Sequence, residues 1–89
     1  MNKENMLMEE FVDKYWDVID VHSLQNALMV TAYRHSSHLA AYKELEEKGK
    51  LDDPLLTGFI CNVRSQIVWR AKVEARIKRE LANGTTGST

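Results

Sequence analysis

Residues 53–84 read DPLLTGFICNVRSQIVWRAKVEARIKRELANG, and the reading of this stretch decides the fold. Asp53 is a good helix N-cap, and Pro54 follows at the first helical position, where its missing N–H has no bond to lose. Asn83-Gly84 supplies a left-handed stop. Between those signals the sequence predicts one helix of about 28 residues, roughly 42 Å long at 1.5 Å per residue. Leu56, Phe59, Ile60, Val63, Ile67, Ala71, Ile77 and Leu81 share one face of it. Arg70 and Glu74 interrupt that stripe and stand four apart, close enough to pair. Trp69 and Val73 form a second, smaller apolar ridge, and Lys72, Arg76 and Arg79 a third, basic side. A helix with two apolar ridges calls for two neighbours.

Upstream lie two further helical patterns. Residues 3–19 predict a short amphipathic helix in which Leu7, Met8, Phe11, Val12, Tyr15, Trp16, Val18 and Ile19 share a face. Glu9, Glu10, Asp13 and Asp17 are placed opposite. After a turn in which Asp20 or Ser23 can cap, residues 24–47 predict a second long helix, ended by Gly49. Its main face is Leu24, Leu28, Thr31, His35, Leu39, Tyr42 and Leu45, with Met29, Tyr33 and Ala40 as a minor ridge. The short link Leu51-Asp52-Asp53 folds the second and third helices into an antiparallel hairpin. The fold class is therefore all-α: three helices, one short and two long, in a single domain over residues 1–83. Residues 84–89, GTTGST, read as a flexible tail.

Composition narrows the class. The chain has 89 residues, 44% of them apolar and 28% charged, with one proline and a single cysteine, Cys61. One domain fits that length, and one cysteine allows no internal disulfide. The start, MNKENMLMEEF, is acidic where a signal peptide is basic and then apolar, and no apolar run approaches the ~20 residues of a membrane span. A cytoplasmic location with no membrane partner is expected. Net charge is −1, but it is unevenly placed. Glu4, Glu9, Glu10, Asp13, Asp17 and Asp20 outweigh Lys3 and Lys14 at one end, and Arg64, Arg70, Lys72, Arg76, Lys78 and Arg79 outweigh Glu74 and Glu80 at the other. Macrodipole matching explains that gradient, as does an acidic face docking on a basic one.

Length and greasiness together predict assembly. A first helix of about 25 Å cannot cover a hairpin of roughly 37–42 Å helices, so Met29, Tyr33 and Ala40, with Trp69 and Val73, are expected to be exposed on a monomer and to form a homodimer interface. Folding the hairpin through its short loop sets Thr31 level with Arg70. Thr31, His35, Gln66, Arg70 and Glu74 are then expected to form one buried polar layer, of a kind that specifies register more than it stabilises.

The chemistry-bearing residues form no recognised machinery. His35 and His38, three apart, could share a metal ion, yet no further ligands stand at suitable spacing, so no metal and no cofactor are expected. Arg70 and Glu74 are the right types for a small carboxylate, but no catalytic motif accompanies them, and no catalytic residue is assigned. Lys72, Arg76 and Arg79, with Arg64, Lys78 and Trp69 beside them, form the candidate surface for double-stranded RNA or DNA. A solvated helix C-terminus that attracts bases for its dipole explains them better than duplex binding does. The expected function is a non-enzymatic homodimer that binds another protein, as an accessory, inhibitor or adaptor of phage, viral or plasmid type. Duplex nucleic-acid binding is the alternative.

Overall fold

The structure, a computed structural model, describes residues 7–87. It is all-helical, with four α-helices among the described residues: α1 (Met8–Lys14), α2 (Val21–Val30), α3 (Ala32–Glu47) and α4 (Thr57–Gly87). A 3₁₀ turn, Pro54–Leu56, leads into α4. Asp53 caps it as its side chain predicts, accepting from Leu55 N–H at 3.0 Å. Asp20 rather than Ser23 opens α2, accepting from Ser23 N–H at 2.9 Å. That bond holds the Asp20 carboxyl below its ordinary value. Gly49, at φ 69°, closes the turn after α3.

Two boundaries differ from the sequence expectation. The first helix stops at Lys14, and residues 15–18 form a turn; the predicted residues 3–6 lie outside the described part. At the other end α4 runs on to Gly87, because Asn83-Gly84 does not adopt the left-handed conformation that a stop requires. The expected tail therefore begins as helix, and residues 88–89 lie outside the description.

The larger difference is at Thr31. The predicted second helix is two helices, α2 and α3, broken at this residue, whose φ and ψ are −99° and −1°. Its hydroxyl bonds back to the Ala27 carbonyl at 2.8 Å, a local bond that bends helices. The break sends α2 and α3 to different faces of α4. Along its first half α4 buries Ile60 and Val63, with Phe59 half-buried, and α3 packs antiparallel to it. Along its second half it buries Trp69, Val73 and Ile77 in a core completed by Val12 and Ile19 of the N-terminal segment and by Leu24 and Ala27 of α2.

This overturns the expected exposure of Trp69 and Val73. The two ridges of α4 do meet two neighbours, but both belong to the same chain. It also displaces part of the expected stripe: Ile67, Ala71 and Leu81 are exposed. Along α1 and the turn after it, Met8, Val12 and Trp16 face the core, while Leu7, Phe11, Tyr15 and Val18 remain exposed. Removing Val12, Leu24, Val63 and Val73 wholly from water contributes roughly 1.5–3 kcal/mol per side chain. No residue of α3 is fully buried, so the hairpin arm is the thinner half of a molecule measuring 52 × 35 × 19 Å.

Candidate functional site

Arg70 stands opposite the break. Its Nη1 donates to Thr31 Oγ1 at 2.7 Å and its Nη2 to the Leu28 carbonyl at 3.1 Å. Leu28 is in the last turn of α2, whose carbonyls need partners. No Arg70–Glu74 ion pair forms among the described residues, and Glu74 is exposed. The expected polar layer is thus half assembled. Thr31 is buried and bonded to Arg70, while half-buried His35 and Gln66 each keep a buried atom, Nδ1 and Oε1, without a partner. Burial pushes the His35 pKa below its ordinary 6.5, and the charges of Arg70, His38 and Arg34 push the same way against Glu74. His38 meets the Phe59 ring edge-on at 5.6 Å. Among the described residues no group of three His, Cys, Asp or Glu is placed to hold a metal ion.

The basic side of α4 does not present one surface. Lys72 pairs with Asp13 at 3.4 Å and lies 4.5 Å from the Trp16 ring centroid. Arg76 covers the same ring at 4.8 Å, donates to the Trp16 carbonyl and to the Ile19 carbonyl at 2.9 Å, and pairs with Glu80. Those carbonyls belong to the turn after α1, so Arg76 holds that turn against α4. The acidic end docks on the basic end within one chain. Arg64 donates to Tyr42 Oη at 3.1 Å, Trp69 is buried, and Lys78 and Arg79 are exposed. Of the expected dimer residues, Tyr33 exposes 87% of its surface and Met29 69%. Ala40 is exposed as well, whereas Trp69 and Val73 are internal.

What the sequence reading missed is Glu9. It exposes only 7% of its surface, and its Oε2 accepts from Arg34 Nη2 of α3. Glu9 lies at the border of the apolar face of α1, where helical periodicity groups it with the neighbouring acids. It lines a groove of about 600 Å³ between α1 and α4, together with Asp13, Gln66, Val68, Trp69 and Lys72. A second groove of about 440 Å³ runs between α2 and α4, lined by Gln25, Leu28, Glu74, Ile77, Lys78 and Leu81. No helix of the described residues is long and apolar enough to cross a membrane. Comparison with known proteins returns no match to a family model, a curated protein or a solved structure.

Proposed function

We propose that this chain is a non-enzymatic helical adaptor that pairs with a second copy of itself and binds another protein. One observation carries the reading: the apolar surface at the α2–α3 junction, where Met29, Val30 and Tyr33 are all largely exposed. Met29 and Tyr33 stand four apart and Ala40 continues their side of α3. Exposed apolar surface of this kind marks an interface more often than an accident of folding. A second copy seated there would extend the thin hairpin arm, in which α3 has no fully buried residue. The exposed apolar residues Leu7, Phe11, Tyr15 and Val18, along α1 and the turn after it, are left for the partner protein.

Sedimentation equilibrium tests the pairing. A species of twice the 10.3 kDa chain mass is expected, converting to monomer in Tyr33→Glu with unchanged helix content. A monomer at the highest soluble concentration would refute it. Duplex nucleic-acid binding is not carried forward as a second proposal, because Lys72 and Arg76, the middle of its candidate surface, are engaged by Asp13 and by the turn after α1.

A further inference from the structure

Ile67, Ala71, Glu74, Lys78 and Leu81 lie along one side of α4, and all five are exposed. Their spacing alternates four and three residues, the spacing that keeps a row in register when two helices wind around each other. The neighbours within the chain take other sides of α4. Trp69, Val73 and Ile77 meet α2 and the N-terminal segment in the core, while Lys72 and Arg76 reach Asp13 and the turn after α1. The groove between α2 and α4 runs beside the row. Gln25 and Leu28 form its α2 wall, and Glu74, Lys78 and Leu81 are among the residues of its α4 wall. Met29, next to Leu28 in the chain and one turn beyond Gln25, carries that wall to the α2–α3 junction.

Two opposite charges stand in the middle of the row. Glu74 and Lys78 are one turn apart, and neither forms an ion pair among the described residues. The charges nearest them are already engaged or stand aside. Arg70 holds the Thr31 hydroxyl and the Leu28 carbonyl, Arg76 pairs with Glu80, and Arg79 lies outside the row. Half-buried His35 feels Glu74 as well as Arg70, but its lowered pKa keeps it neutral at pH 7.

Such a row is self-complementary in one of the two ways that a two-fold axis can pair it. With two copies parallel, each residue faces its own equivalent, so Glu74 meets Glu74 and Lys78 meets Lys78. With two copies antiparallel, Glu74 of each faces Lys78 of the other, and the favourable pair forms twice. The same register sets Ala71 of each copy against Leu81 of the other, a small side chain opposite a large one. Like charges reject the first arrangement, and both charge and size favour the second.

We propose that two copies of this chain pair antiparallel along α4, with Glu74 of each against Lys78 of the other. The inference rests on the pairing proposed above and names the seam that holds it, which adjoins the junction through Met29.

Sedimentation equilibrium of charge-reversed full chains tests it. Glu74→Lys alone and Lys78→Glu alone each place like charges opposite at both contacts, and each is expected to weaken self-association at least about ten-fold. Mixed in equal amounts, the two variants complement each other at both contacts, and the mixture is expected to recover dimer of the unaltered strength. Both positions are exposed, so helix content is expected to stay unchanged. A monomeric unaltered chain would overturn the pairing itself and the seam with it. A dimeric chain whose folded charge variants associate as tightly as before, or whose mixture fails to recover, overturns the seam alone and leaves the junction pairing standing. Should a charge variant fail to fold, oxidation of Ala71→Cys/Leu81→Cys in a Cys61→Ser background decides. Disulfides between position 71 of one copy and 81 of the other are expected, and links joining 71 to 71 or 81 to 81 instead would overturn the antiparallel register.

Discussion

The Thr31 hydroxyl and the Arg70 guanidinium meet at 2.7 Å at the point where one long helix becomes two. Thr31 donates back to Ala27 and accepts from Arg70, and Arg70 also takes the Leu28 carbonyl. The bend and its clamp are one hydrogen-bonded unit, and it decides which face of α4 each neighbour covers. Thr31→Val keeps the shape and removes the hydroxyl from a buried position, so it is expected to destabilise by about 1–2 kcal/mol in urea unfolding. Arg70→Met loses both bonds. Because the two changes remove the same interaction, the double variant is expected to be more stable than the sum of the two losses predicts, by about 1 kcal/mol. Strict additivity would mean that the clamp contributes nothing beyond its separate parts.

Arg76 illustrates how a basic helix surface can be structural. Its side chain is 11% exposed and its guanidinium binds two carbonyls of the turn after α1. Arg76→Ala removes that anchor and leaves the carbonyls to find water. A loss of about 2 kcal/mol is expected, with hydrogen exchange over residues 8–19 accelerating more than exchange over α3. Lys78→Ala and Arg79→Ala, at exposed positions on the same helix, are expected to stay within about 0.5 kcal/mol of the unaltered chain. Equal effects from all three would refute the anchoring role.

The facing register of the hairpin was legible from the loop length alone, which set Thr31 level with Arg70. The break was not. Thr31 continues the apolar spacing of Leu24, Leu28 and His35, and neither proline nor glycine marks it, so the pattern reads as one unbroken helix. The misplaced apolar ridge follows from that. A straight hairpin leaves Trp69 and Val73 without a neighbour, whereas a bent one lays α2 across them. Glu9 stayed hidden for a related reason. Its partner Arg34 lies 25 residues away, and periodicity sorts a border acid with its polar neighbours. Charge asymmetry between the chain ends was visible, and it foreshadowed the Asp13–Lys72 pair.

His35 makes the arm sensitive to pH. Its folded pKa lies below the unfolded value of 6.5, so the unfolded chain binds more protons in the interval between the two. Stability therefore rises with pH across that interval. It is full above about 6.5 and is lost as pH falls through the window beneath it, levelling off below the folded pKa. Arg70, Arg34 and His38 oppose the added charge and Glu74 favours it. The melting temperature is expected to fall between pH 7 and 5, and His35→Gln is expected to flatten that segment. Asp20 acts in a separate, lower window. Its folded pKa lies below 3.8, so its stabilisation is present above that value and lost on further acidification. A His35→Gln profile that tracks the unaltered chain would place the dependence elsewhere.

Two glycines should respond to alanine in opposite directions. Gly49 and Gly58 are alike in having no atom within 4 Å of an added Cβ, so crowding cannot separate them. Backbone conformation does. Gly49 holds φ at 69° while its N–H bonds the Glu46 carbonyl at 3.1 Å, and alanine there must adopt a left-handed backbone, at a cost of about 1 kcal/mol. Gly58 lies in the first turn of α4 with ordinary helical angles. Alanine at that position restricts the unfolded chain and favours the helix, for a gain of about 0.5–1 kcal/mol. The melting temperature is therefore expected to drop in Gly49→Ala and rise in Gly58→Ala. A drop in both would refute the reading of Gly58 as an unconstrained helical position.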